Sequence, residues 1–300
     1  MRKFNDILIK YSLKPYRYEV RGKATIVYTD NGNYVIKEKN RDNNKDIYDY
    51  LNSRNFNYYP RFISDSDDDY VISEYIESST VPREQKLTDL IDLVSLLHSK
   101  TTHYKEVDIA DYKKLYEDIA NNIEYLYGYY SDIITIIESK IYMSPPEYLL
   151  ARNISSIFSS LNFCKEELEK WYELISKKTK QRLVVLHNNL DMSHFIINKE
   201  SYLINWEKSK IDIPVFDLYK LYNRHNLDCD FEEAFHRYER NYPLLEEERK
   251  LLFILITLPD RIEFENNNYL MTKKVSHLID KIYKTRQLIL PYYSKDTKEK

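Results

Sequence analysis

Between positions 186 and 218 the chain reads Leu186-His187-Asn188-Asn189-Leu190-Asp191-Met192-Ser193-His194-Phe195-Ile196-Ile197, then Leu203-Ile204-Asn205-Trp206-Glu207, then Pro214-Val215-Phe216-Asp217-Leu218. Histidines, carboxylates and amides at this density suit proton transfer and oxygen ligation of a hard cation. Those are the two tasks that phosphoryl transfer leaves to a protein: a base orients the acceptor hydroxyl, and oxygen ligands hold magnesium against the phosphates. Both tasks want carboxylates. Magnesium is usually held by one or two of them together with phosphate oxygens, and a proton acceptor needs a basic lone pair. An amide oxygen ligates weakly, carries no formal charge and is hardly basic.

The spacing His-x-Asp-Leu-x-x-x-Asn, a strand ending Ile-Asp-Trp/Phe-Glu, and then Pro-x-x-Asp-Leu is the signature of aminoglycoside phosphotransferases, choline-kinase-like enzymes and their relatives among the spore coat kinase-like proteins of Firmicutes. This chain resembles that pattern in order and spacing and departs from it where the chemistry is done. His187 matches the motif histidine, Asn189 stands where the catalytic aspartate belongs, and His194 stands where the loop asparagine belongs. Asn205 replaces the magnesium-binding aspartate, whereas Asp217 matches the family's structural aspartate. Three blocks in one order are a stronger signal than any single motif. A helical protein with His187 and His194 as polar turn residues leaves unexplained why Phe195-Ile196-Ile197 and Tyr202-Leu203-Ile204 flank Asn198-Lys199-Glu200-Ser201 as a hairpin does.

The resemblance implies an α+β, two-lobed, protein-kinase-like fold. Residues 1–77 would form a small antiparallel-sheet lobe that binds nucleotide, and residues 78–300 a large, mainly helical lobe carrying the altered catalytic loop at 186–217. The upstream half has the required elements. Tyr16–Arg21 and Thr25–Thr29 read as strands, Asp30-Asn31-Gly32-Asn33 as a hairpin turn in which Asn-Gly accepts positive φ, and Tyr34–Lys39 as a third strand. Lys37 then falls where kinase-like folds put the lysine that pairs with nucleotide phosphates. Taken alone it is equally a solvated lysine on a strand edge.

A short helix from Asn43 to Asn52 carries Asp46 and Asp49, either of which could supply the acid that steadies Lys37. Arg61-Phe62-Ile63 and Tyr70–Glu74 form a second hairpin around an Asp-rich turn, 65–69, which lacks the calcium-loop pattern and reads as solvated. Glu74-Tyr75-Ile76-Glu77 resembles the family's hinge, where main-chain groups near Glu74 and Ile76 meet the adenine. The turn Arg21-Gly22-Lys23-Ala24 has one glycine where protein kinases carry several, so it covers a nucleotide less closely.

Beyond Leu87 the periodicity is helical. Leu90, Ile91, Leu93, Val94 and Leu97 share one helix, and Leu96-Leu97-His98 matches the Leu-His that ends the first large-lobe helix of aminoglycoside phosphotransferases, with His98 in a structural role. Two further helical stretches between Asp111 and Lys180 are broken at Ser144-Pro145-Pro146, and Leu218–Tyr222, Phe231–Tyr242, Leu244–Leu258 and Lys273–Leu290 follow. No familiar substrate code stands out among them. Tyrosines such as Tyr125, Tyr127, Tyr129 and Tyr130 read as half-buried packing residues.

Composition bounds the rest. With a net charge of −3 over 300 residues there is no basic footprint for nucleic acid. Cys164 and Cys229 lack partners at metal-ligand spacing and suit a reducing cytoplasm, with spore association suggested only by the resemblance. The first residues lack an apolar signal core, and no apolar run is long enough to cross a membrane. Three glycines against 30 tyrosines, with abundant Asn, Lys and Ile, fit an AT-rich genome.

Two functions compete. One is a pseudokinase that binds a protein or small-molecule partner, with ATP held through Lys37 and the hinge and any magnesium held weakly. The other is a slow phosphotransferase with Asp191 as displaced base and His194 and Glu207 as metal ligands beside Asn205. Loss of a positioned base costs about 10²- to 10⁴-fold. Residues two apart on an extended segment lie about 6 to 7 Å from each other, far beyond the tolerance of such chemistry. The first reading is therefore preferred.

Overall fold

The computed structural model describes residues 2–39, 45–64 and 69–294. Along the chain these form α1 (Arg2–Lys10), β1 (Pro15–Arg21), β2 (Ala24–Thr29), β3 (Gly32–Glu38), α2 (Lys45–Ser53), β4 (Tyr70–Glu74), α3 (Arg83–Thr101), β5 (His103–Glu106), α4 (Ile109–Glu138), α5 (Pro145–Ile175), β6 (Lys180–Leu186), β7 (Phe195–Ile197), β8 (Ser201–Leu203), β9 (Lys210–Asp212), α6 (Val215–His225), α7 (Phe231–Asn241), α8 (Glu246–Thr257) and α9 (Asn268–Ser294). A small antiparallel sheet and a larger helical region make this an α+β fold, with the elements that the resemblance implies.

Two compact units emerge, Met1–Thr101 with Val184–Ile211 and Thr102–Leu183 with Asp212–Lys300. Each unit is assembled from two separate stretches of the chain. Residues 184–211 join the sheet-bearing unit because they bond to it directly: the Leu203 N–H donates to the Tyr58 carbonyl at 2.8 Å, the Ser79 N–H to the Ile197 carbonyl at 2.6 Å, and Asn198 Nδ2 to the Glu77 carbonyl at 3.0 Å.

In that first unit the sheet runs in the order β1-β2-β3-β4, each neighbouring pair antiparallel. The β2–β3 register places Thr29 opposite Gly32, so Asp30 and Asn31 are the two turn residues. The turn is where the Asn-Gly pair predicts it, one place out of step. Gly32 sits past the turn at φ 138°, a conformation that disfavours a side chain, and a Cβ there would lie 3.3 Å from the Tyr34 hydroxyl.

Alternation puts Val27, Ile36 and Ile72 on one face of the sheet, and α1 buries Ile7 and Leu8 against them. The sequence pattern gives no expectation of this helix. The other face carries Lys37. The second hairpin pairs through a bridge between Phe62 and Ser73 and donation from the Ile63 N–H to the Ile72 carbonyl at 2.9 Å, and its Asp-rich turn lies, but for Asp69, outside the described residues. Helix α3 buries Leu90, Val94, Leu97 and His98, and ends at Thr101, whose Oγ1 accepts from the Val185 N–H at 3.0 Å.

The second unit is built on α4 and α5, which pack together, with α5 also against α8 and α9 and α6 against α8. Ser144-Pro145-Pro146 breaks the two long helices as expected. Proline is tolerated in a first turn, where its missing N–H is unneeded, and Glu147 accepts the Ser144 N–H at 2.8 Å. Leu251, Leu252, Phe253, Ile254 and Ile256 of α8 are buried, as its apolar run implies. Among the described residues no helix is long and apolar enough to cross a membrane.

Candidate functional site

The first unit contains an open cleft of about 1730 Å³. Lys37, Glu74, Ile76, Asn189, Asn205 and Glu207 all line it, so residues separated by up to 170 positions share one cleft. Lys37 reaches the cleft because β3 alternates: Tyr34 and Ile36 face α1, and Val35 and Lys37 face the other way.

Strand β6 delivers the loop that begins at His187. Its last residues, Val184, Val185 and Leu186, are buried, as is His187, whose Nε2–H donates to the Ile204 carbonyl at 2.8 Å and whose ring meets the Trp206 ring edge-on at 4.8 Å. That histidine positions the loop. Asn188 turns the chain in the left-handed region at φ 58° and donates from Nδ2 to the Lys208 carbonyl at 2.7 Å. Asn189 lines the cleft, and its carbonyl accepts from His194 Nδ1–H at 2.8 Å. Asp191 caps the 3₁₀ turn Met192–His194: its Oδ1 accepts from the Ser193 N–H at 2.8 Å and from Ser193 Oγ at 2.7 Å.

The β7–β8 hairpin then carries the chain to Asn205, which adopts φ 65° and ψ 53°. Asparagine tolerates this left-handed conformation where most residues do not. Trp206 is anchored by donation from Nε1 to the Leu203 carbonyl at 2.8 Å. Between them these contacts aim Asn205 and Glu207 at Lys37. The Lys37 ammonium donates to Asn205 Oδ1 and pairs with Glu207 Oε1 at 3.2 Å.

The acid beside Lys37 is thus Glu207, and neither Asp46 nor Asp49 on α2 takes that place. Helix α2 presents Tyr48 instead, in an aromatic cluster with Tyr59 and Phe62 at ring distances of 4.9 and 4.6 Å and with Trp206 at 6.4 Å. Burial, and then the charge of Glu207, push the Tyr48 hydroxyl far above the ordinary phenol range, so it stays protonated. Sequence periodicity gives no sign of this cluster, because its members come from separate segments of the chain.

Lys86 likewise has no motif to mark it. It stands in the first turn of α3 and lines the cleft with Asn189 and Ser193; partial burial lowers its amine pKa, opposed by the charge of Asp191. In the segment Glu74–Ile76 the Glu74 N–H donates to the Arg61 carbonyl and the Tyr75 N–H to the Asn33 carbonyl, each at 2.9 Å. Asp217 lies in the other unit, fully buried in the first turn of α6.

This donor set suits a divalent cation poorly. Asn205 is neutral and its oxygen already accepts from an ammonium, Glu207 is ion-paired with that same ammonium, and His194 offers a ring nitrogen where a hard cation takes oxygen. Among the described residues no cluster of three or more His, Cys, Asp or Glu side chains has metal-binding geometry.

No family model matches the chain, and no curated protein matches it in sequence. Solved structures do match in fold. An aminoglycoside phosphotransferase from Alicyclobacillus acidocaldarius superposes with a TM-score of 0.66 at 12% identity, over 98% of this chain and 96% of the other. Spectinomycin phosphotransferase in an AMP-bound complex gives 0.55 at 11% identity, over 98% and 94%. Choline kinase LicA from Streptococcus pneumoniae gives 0.50 at 16% identity, over 93% and 99%. At such identities the likeness is one of fold, and it spans nearly the whole length of both partners.

Proposed function

We propose that this chain, built on the fold of aminoglycoside phosphotransferases and choline kinases, is a pseudokinase: it holds an adenine nucleotide in the cleft, does not transfer phosphate, and works by binding a partner. One observation carries the reading. At the two positions where phosphoryl transfer needs negative charge the cleft presents Asn189 and Asn205, and Asn205 is bonded to the phosphate-pairing lysine. Nucleotide is the favoured ligand because Lys37 and the segment Glu74–Ile76 line one cleft, and because a protein of the same fold, spectinomycin phosphotransferase, was solved with AMP and with ADP plus spectinomycin.

The competing phosphotransferase reading asks Asp191 to act as base while its Oδ1 caps a turn, and asks Glu207 to ligate metal while it is ion-paired with Lys37. We place the protein in a reducing compartment, as Cys164 and Cys229, buried and not joined in a disulfide, suit. The test is ATP turnover by purified protein with magnesium and a panel of small alcohols and aminoalcohols. The expected rate matches a Lys37→Ala control. Turnover that vanishes in Asp191→Asn or Glu207→Gln establishes the enzyme instead.

A further inference from the structure

We infer that the cleft takes its phosphate-bearing ligand without a divalent ion, the Lys37 ammonium supplying charge where the ion would act. This rests on the nucleotide-binding reading and states how the phosphates are neutralised there.

The geometry carries it. Lys37 Nζ contacts both side chains that lie at and beside the altered metal position, Asn205 and Glu207. A cation entering between their oxygens would face the ammonium directly, with one carboxylate shared between the two charges, and magnesium sheds its water reluctantly for so weak a donor set. An amide at 205 is the residue type that accepts a hydrogen bond from lysine without adding charge. The cleft is therefore wired for a fixed monovalent cation.

Charge around the cleft points the same way. In a chain of net charge −3, seven Lys or Arg side chains line the cleft against four Asp or Glu, among the described residues. Lys86 adds a second amine beside Asn189 and Ser193, on the side of the altered loop. A phosphate arriving at Lys37 replaces the Glu207 carboxylate as its partner, so one anionic contact is exchanged for another. Glu207 is then a competitor for the ligand, and its removal tightens binding.

The experiment is calorimetric titration of the full-length protein with ATP, once in excess EDTA and once in excess magnesium. ATP is expected to bind in EDTA as tightly as with magnesium, within about threefold, or more tightly, as follows if no ligand field is offered to the metal. Glu207→Gln is expected to tighten binding in EDTA by about threefold, and Lys37→Ala to weaken it by at least about tenfold, with unliganded melting temperatures showing that both variants are folded. Magnesium that tightens binding beyond about threefold overturns the inference and leaves the nucleotide reading standing. A folded Lys37→Ala that binds like the parent also overturns it. No binding in either buffer overturns the nucleotide reading as well.

Discussion

Asn189 and Asn205 differ from aspartate by one amide each, and aspartate fits the backbone at the second of them. Asn205 sits in the left-handed region, which aspartate also tolerates because its short polar side chain bonds locally. Replacing both, Asn189→Asp with Asn205→Asp, therefore changes charge while keeping the shape of the side chains. The new carboxylate at position 205 would compete with Glu207 for Lys37, and a cation could be shared by two carboxylates. The expected outcome is magnesium-dependent ATP hydrolysis above the parent, by a factor on the order of 10², the lower end of what a positioned base contributes. Phosphate release measured over hours checks it. A flat rate in a folded double variant would place the block elsewhere, with His194 at the loop-asparagine position the next candidate.

Element packing in the second unit depends on a buried charge. Glu167 on α5 is 2% exposed and accepts from Lys170 at 2.7 Å, from Lys250 on α8 at 2.9 Å and from Tyr293 on α9 at 2.9 Å. Burial raises the pKa of its carboxyl, but the three hydrogen bonds outweigh burial and hold it below the ordinary carboxylate value. A depressed folded-state pKa contributes stability that is present above the unfolded pKa and lost as pH falls through the folded one. Glu167→Ala should therefore cost about 2 to 3 kcal/mol near neutral pH, the scale of hydrogen bonds to a buried charge. The difference from the parent should shrink below about pH 4, where the unfolded carboxyl protonates. Urea unfolding followed by helical circular dichroism at the two pH values tests this, and a penalty that is unchanged in acid would assign the effect to packing alone.

Taken whole, the chain assembles each compact unit from two stretches of sequence, so neither unit is complete until most of the chain is present. For the first unit the missing piece is large: 184–211 supplies Phe195, Leu203 and Trp206, all at 2% exposure or less, and the backbone bond from Leu203 to Tyr58. A fragment of residues 1–101, and equally one ending at residue 77, is expected to lack a cooperative melting transition. A full-length protein saturated with nucleotide at about 100 times Kd should gain about 2.7 kcal/mol, a rise in Tm of roughly 4 °C for a chain of this size. Differential scanning fluorimetry reads both, and a sharp transition in the short fragment would show that the sheet stands by itself.

How far the molecule can be read from its residues differs from place to place. The strands around Lys37, the break at Ser144-Pro145-Pro146, the hairpin after His194 and the amides at 189 and 205 are legible, because alternation, proline geometry and motif spacing act within a few neighbours. That positions 189 and 205 carry amides is a covalent fact that no folding changes. What folding adds is pairing. That Lys37 meets Glu207 rather than an acid on α2, that Tyr48 joins Trp206, that α1 covers the sheet and that 184–211 completes the first unit all depend on contacts between distant positions. Side-chain periodicity carries no information about such partners, since each is selected by the packing of the others.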